Sequence, residues 1–205
     1  MGVTIVHYFD YKSPYAYLAQ EPTRQLANSL GIEIDWLPYG LDIPSFLGAA
    51  ELDEEGRDVV GKRTPRQWRR VRYAYMDCRR EATRRGLVIR GPRKIFDSSV
   101  AHIGMLYAKA RGDFRPYHDR VYARFWRREL DIEDPERIRD VLGEAGADTA
   151  DFFGFLEGEG RELYDRIQGE AEEKGVFGVP SYLLGDELFF GNERIERLRE
   201  RLTAG

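Results

Sequence analysis

One cysteine and three histidines are all that the 205 residues contain of those types, and each scarcity removes a class of function. Cys78 alone cannot close an intrachain disulfide, form a C-x-x-C redox pair or build a multi-cysteine metal cage. His7, His102 and His118 are too scattered along the chain to mark a metal site, so no metal is expected. No run of about 18 apolar residues is available to cross a bilayer, and the first residues carry neither the basic region nor the apolar core of a signal peptide. The expectation is a soluble cytoplasmic protein without a membrane partner. Internal repeats and low-complexity linkers are also missing. With 42% hydrophobic and 13% aromatic residues, the chain has the composition to bury one good core.

The net charge of −4 conceals an uneven distribution. Residues 61–94 hold thirteen Lys or Arg against Asp77 and Glu81, a local +11 that leaves −15 for the remainder. Three readings of this belt stay open: a solvated helix face, attraction of a small anionic substrate, or nucleic acid, given the interleaved Trp68, Tyr73 and Tyr75. The acidity of the whole chain argues against the last, and no nucleic-acid partner is expected.

Hydrophobic periodicity orders the elements. "VTIVHYFDY" (3–11) is apolar, β-branched and aromatic, too short for a helix, and reads as a buried strand. Ser13 then suits an N-cap and Pro14 the first helical position. Tyr17, Leu18, Leu26 and Leu30 give an apolar face that Gly31 closes. "IEIDWLPY" (32–39) alternates as a second strand, which makes a right-handed parallel βαβ unit. In "PRQWRRVRYAYMDCRREATRRG", Trp68, Val71, Tyr75, Cys78 and Ala82 recur at helical spacing, so Cys78 reads as a buried structural thiol before it reads as a nucleophile. Further helices are predicted at about 98–111, 114–129, 134–143, 148–157 and 159–174. Strands at 181–184 and 187–190, joined by Gly185-Asp186, and a closing helix from about 192 complete the chain. The order is that of an α/β thioredoxin-like fold, residues 1–41 plus 166–205, with an inserted all-helical domain at 42–165.

Chemistry concentrates where the first strand meets the first helix. Unpaired N–H groups of the first helical turn stabilise an anion placed there. A thioredoxin-like protein carries its redox cysteine at this position; here a hydroxyl stands instead. Ser13 has no Ser-His-Asp setting or G-x-S-x-G elbow to make it a nucleophile. It either caps the helix and does nothing more, or donates a hydrogen bond to a bound thiolate and lowers that thiol's pKa. In such a layout the Val179-Pro180 bond of "GVFGVPSYLL" is expected to be cis, to face Ser13 and to offer the Val179 backbone to an extended ligand.

The stretches "FDYKSPYAYLA", "VRYAYMDCRREATRRGL" and "GVFGVPSYLLGDELFFGNERI" resemble, in order and spacing, the 2-hydroxychromene-2-carboxylate isomerases and kappa-class glutathione transferases of the DsbA-like thioredoxin superfamily. The resemblance spans nearly the whole chain and implies a glutathione site, or one for a related low-molecular-weight thiol. Ser13 would be the catalytic residue beside the sulfur. Val179 and Pro180 would pair with the thiol's backbone, and Asn192, Glu193 and Arg194 would hold its γ-glutamyl end. An anionic aromatic substrate is expected against Tyr15, Arg66 and Arg70, with Tyr17 and Trp68 either stacking on it or belonging to the core. The family commonly has Asp where Glu193 stands, Lys where Arg70 stands, an Asn near Thr64-Pro65, and Ser-Arg in place of the Asp97-Ser98-Ser99 run. The implied activity is thiol-dependent isomerisation; conjugation of a thiol to an electrophile and non-catalytic binding of thiols or peptides are the alternatives. A homodimer is also implied by the resemblance.

Overall fold

The computed structural model describes residues 4–204. Val3, the first residue of the expected strand, and the outermost residues 1–2 and 205 of the expected thioredoxin-like part lie outside the described residues. Strand β1 (Thr4–Phe9) ends earlier than the periodicity suggested. Asp10–Lys12 turn instead, and the Ser13 N–H closes that turn on the Asp10 carbonyl at 3.0 Å. Helix α1 (Pro14–Leu30) follows at once, capped by Ser13 and closed by Gly31 with φ 62°, a left-handed conformation that glycine adopts without a Cβ penalty. Pro22 sits inside α1 and cannot donate to the Leu18 carbonyl four residues back. Arg85 Nη1 donates to that carbonyl at 2.7 Å instead, so the helix continues through the proline.

Strand β2 (Glu33–Pro38) pairs parallel to β1. Strands β3 (Ser181–Leu184) and β4 (Glu187–Phe190) add antiparallel, giving the sheet order β2-β1-β3-β4 of a thioredoxin-like α/β fold. Helix α9 (Ile195–Thr203) and α1 cover one face, burying Ile5, Leu26, Tyr182, Ile195 and Leu198 together. Between β2 and β3 run α2 (Ile43–Leu47), α3 (Pro65–Arg84), α4 (Ser99–Arg111), α5 (Arg115–Arg127), α6 (Pro135–Glu144), α7 (Phe152–Glu157) and α8 (Glu159–Glu173). The expected division at 165/166 falls inside α8. Tyr164 and Ile167 of that continuous helix enter the main core. Next to them, the Gln168 amide donates to Pro38 O at 3.0 Å and accepts from Gly40 N at 2.7 Å. Among the described residues no helix is long and apolar enough to cross a membrane.

The three histidines, remote in sequence, converge in the core and are fully buried. Phe9 lies 4.6 Å from the His118 ring and 5.7 Å from that of His102, ring centre to ring centre. Trp36 lies 4.5 Å from His7 and 5.3 Å from His118.

Candidate active site

The end of β1 and the start of β3 meet by register. Tyr8 pairs with Ser181, so the antiparallel course brings Val179 and Pro180 alongside Asp10–Ser13. The Val179-Pro180 bond is cis. Ser13, only 4% exposed, accepts the Ala16 N–H at 3.2 Å and donates to the Val179 carbonyl at 3.4 Å. The first contact is the helix cap; the second is close to the limit of a hydrogen bond, so the hydroxyl proton is weakly committed. The Val179 N–H has no partner among the described residues.

Behind Ser13 lies a charged group that sequence reasoning passed over. Asp10 is fully buried. Its Oδ2 accepts Leu41 N–H at 2.8 Å and its Oδ1 accepts Lys12 N–H at 3.1 Å. The Lys12 ammonium stands 3.6 Å from Oδ2, and His102 Nε2 stands 3.3 Å from Oδ1. Burial pushes the Asp10 carboxyl up, but Lys12, His102 and the Leu41 N–H outweigh it and hold the group well below the usual carboxylate range. Lys12, 9% exposed, shares a cavity wall with Ser13 and adds a fixed positive charge to the helix start. The one sequence signal was a lysine immediately before the capping serine. Asp10→Ala, which strands this ammonium and two N–H groups, is expected to destabilise the fold by about 3 kcal/mol, the low end for a broken buried pair because Lys12 reaches the cavity. Urea unfolding measures this. An Asp10→Ala, Lys12→Met double variant is expected to recover most of the loss, whereas an Asp10→Ala midpoint equal to wild type would show that the pair contributes nothing.

A cavity of about 760 Å³ opens beside this group. Ser13, Tyr15 and Val179 line one side, Phe46 and Leu47 of α2 another, and Trp68, Val71 and Tyr75 of α3 a third. Tyr15 donates to Asp77 at 3.3 Å, and burial drives its hydroxyl well above the usual tyrosine range. The Arg63 guanidinium lies 4.9 Å from the Trp68 ring centre. Tyr17 belongs to the core, stacked 5.2 Å from Tyr122. Cys78 is buried, and that burial pushes its thiol up to about 12, so it is uncharged at neutral pH.

The other expected residues are placed apart from this cavity. Arg66 and Arg70 sit on the exposed side of α3 and do not line it, because Trp68, Val71 and Tyr75 turn inward and residues two away from them point outward. Arg63, Arg72 and Arg79 face the cavity instead. Asn192–Arg194 form a single 3₁₀ turn after β4. Gly191 N–H donates to Pro180 O at 2.9 Å, which fixes that turn beside the cis-proline. Asn192 is half-buried and Glu193 and Arg194 are exposed, and none of the three lines the cavity.

A central strand running into a helix start, faced by a cis-proline at the head of the adjacent strand, defines a protein of thioredoxin fold, here with Ser13 as the cap of that helix. The DSBA-like thioredoxin domain matches residues 4–203, and the chain belongs to that family. It is 28% identical over 204 residues to the 2-hydroxychromene-2-carboxylate isomerase of Sphingobium xenophagum, covering 98% of this chain and 99% of that protein. The enzyme of the same name from Pseudomonas putida is 28% identical over 198 residues, 95% of this chain and 92% of its own. A solved structure of a 2-hydroxychromene-2-carboxylate isomerase superposes with a TM-score of 0.74 at 25% identity, covering 98% of this chain and 95% of that one.

Proposed function

We propose that this chain is a thiol-dependent isomerase of the kind its relatives are named for, acting on a conjugated, aromatic-derived acid with glutathione or a related low-molecular-weight thiol. The observation that carries the reading is the Ser13 hydroxyl, held between its own helix start and the Val179 carbonyl by one weak contact of 3.4 Å. The residues present suit the sulfur end of a thiol: a weakly committed O–H donor, a helix start, a neighbouring ammonium and the unpaired Val179 N–H. A thiol bound there supplies a nucleophile that adds to a conjugated carbon, permits rotation about the former double bond and is eliminated unchanged.

The chain's own residues have three tasks in this reading. Ser13 turns its proton from Val179 O to the sulfur and stabilises the anion. Lys12 and the Tyr15 N–H, the one first-turn donor without a partner among the described residues, oppose the same charge. Tyr15 and Trp68 offer aromatic faces to the conjugated system, and the cavity arginines hold its acid group. Turnover of such a substrate is expected to need the thiol in catalytic amount and to leave its concentration unchanged, as followed by free-thiol assay beside substrate absorbance. Stoichiometric consumption of the thiol would move the assignment to the kappa-like transferases. Turnover without any thiol would overturn the reading.

A further inference from the structure

The cavity is lined by seven lysine and arginine residues, Lys12, Lys94, Arg63, Arg72, Arg79, Arg93 and Arg128, and by no aspartate or glutamate. Lys12 has Asp10 as its partner and Lys94 has Glu133. The five arginines have no carboxylate oxygen within 4.0 Å among the described residues, and Asp58 acts on Arg63 only from beyond that distance. Three of them are nevertheless fixed in place. Arg63 Nε donates to Gly48 O at 3.0 Å, Arg79 Nε to Ile89 O at 3.2 Å and Arg128 Nε to Gly91 O at 2.7 Å. A neutral carbonyl orients a guanidinium without cancelling its charge, and the Nη donors of Arg63 and Arg79 stay free.

Arg79 and Arg128 flank Tyr75, and Arg63, beside Trp68, lines the same cavity. Arg79 lies 5.6 Å from its ring centre. Gly91, which Arg128 grips, abuts the same ring so closely that a Cβ would stand 3.1 Å from it. The positive charges of Arg63, Arg79 and Arg128 all act on the Tyr75 hydroxyl, which burial still pushes up to about 12, so it remains a donor. Arg128 has φ 63°, the one left-handed non-glycine residue among those described. Glycine is the usual choice where a helix closes this way, and a residue with a Cβ there costs about 1–2 kcal/mol.

Arg63 is part-buried and Arg79 and Arg128 are exposed at the cavity's edge, so solvent softens their mutual repulsion, and the three like charges together favour a ligand that brings counter-charge. A monocarboxylate neutralises one of the three. A phosphate monoester, or two carboxylates on adjacent carbons, brings close to two negative charges and enough acceptor oxygens for the free Nη donors and the Tyr75 hydroxyl. The wall is also extended: Trp68 to Arg79 covers roughly 16 Å of helix at 1.5 Å per residue, so the far end of the substrate need not be the end that reacts. We propose that the conjugated substrate carries a compact dianion, a phosphate monoester or a vicinal dicarboxylate, held by Arg63, Arg79 and Arg128 beside Tyr75. Only the assignment of Ser13 as the reacting end rests on the thiol-isomerase reading.

The test is calorimetric titration of the full chain with benzoate, phthalate and phenyl phosphate, and separately with glutathione. At least one dianion is expected to bind about tenfold or more tighter than benzoate, and Arg63→Gln and Arg79→Gln are each expected to remove that preference. Whichever dianion binds more tightly identifies the acid. Arg80→Gln, the same charge change on the exposed side of α3, is expected to stay within about twofold of wild type. If Arg79→Gln melts early, Arg63→Gln, anchored on a different carbonyl, carries the test. Equal affinity for benzoate and both dianions, or Arg63→Gln and Arg79→Gln variants that keep the preference, would overturn the proposal even while glutathione binds. A dianion preference without glutathione binding would uphold it and overturn the thiol reading alone.

Discussion

Ser13→Ala is expected to lower kcat/KM for the thiol-dependent reaction by about 10- to 100-fold, because a hydrogen bond to a charged group is worth about 1.5–3 kcal/mol. The hydroxyl serves two partners at once, the Ala16 N–H at 3.2 Å and the Val179 carbonyl at 3.4 Å, and alanine removes both contacts. The lost cap costs about 1 kcal/mol, which for a chain of this size lowers Tm by about 2–4 °C. A small change in Tm beside a large change in rate separates the two roles of one oxygen. The pH dependence of kcat/KM adds an independent readout. If Ser13 stabilises the thiolate, the thiol's apparent pKa rises by about 1–2 units in the variant, and the rate–pH profile moves to higher pH by that amount. A variant with the wild-type profile and rate would leave Ser13 as a helix cap and nothing more.

Acidification is expected to weaken the fold well above the pH at which its carboxylates protonate. Burial lowers the His7 pKa from 6.5 to about 3, against a smaller opposing pull from the Ser181 carbonyl. It lowers His118 well below its ordinary value, with the charge of Arg24 acting in the same direction. Both rings are therefore neutral in the folded protein over a range where the unfolded chain would protonate them. The sign follows: the neutral rings cost nothing above pH 6.5, and below it the unfolded state binds more protons, so stability falls as pH falls. Each histidine contributes a slope approaching about 1.4 kcal/mol per pH unit. His7 alone removes about 2 kcal/mol between pH 7.5 and 5, and His118 acts in the same direction, which is a sizeable share of the stability of an ordinary domain. Asp10 adds to the decline only lower down: its folded pKa lies below its ordinary 3.8, so its stabilisation is intact above that value and lost beneath it. Urea midpoints at pH 7.5, 6 and 5 measure the effect. A midpoint unchanged to pH 5 would mean that the histidines gain water or a partner on protonation, and His7→Phe is expected to flatten part of the slope.

The sequence by itself determined whatever depends on neighbours a few positions away. Strand β1 followed from β-branched and aromatic residues, and α1 from Ser13, Pro14 and Gly31. The inward stripe of α3 followed from its 3-and-4 spacing, and the hairpin from Gly185-Asp186. These are local conformational preferences and short-range hydrogen bonds, so a contiguous stretch carries enough information to place them. The same reasoning put Cys78 inside and marked Ser13 as a cap or a donor to a thiolate; that Val179-Pro180 faces it followed only from the thioredoxin-like order of the elements.

Only the tertiary structure decided which distant groups share a space. His7, His102 and His118 looked scattered, and the packing of α4 and α5 against β1 and β2 makes them one buried cluster. The belt of charge at 61–94 was visible, but its meaning turned on helical phase. Residues two apart on a helix face nearly opposite ways, so Arg66 and Arg70 lie away from the cavity while Arg72 and Arg79, also exposed, border it. Arg128 joins Arg63 and Arg79 from a different helix through the carbonyl of Gly91, a contact across 37 positions. The Lys12–Asp10 pair is close in sequence, yet its burial comes from Leu41 and His102. Side-chain chemistry is written residue by residue, whereas burial, which sets the strength of every charge in this site, is a property of the assembled core.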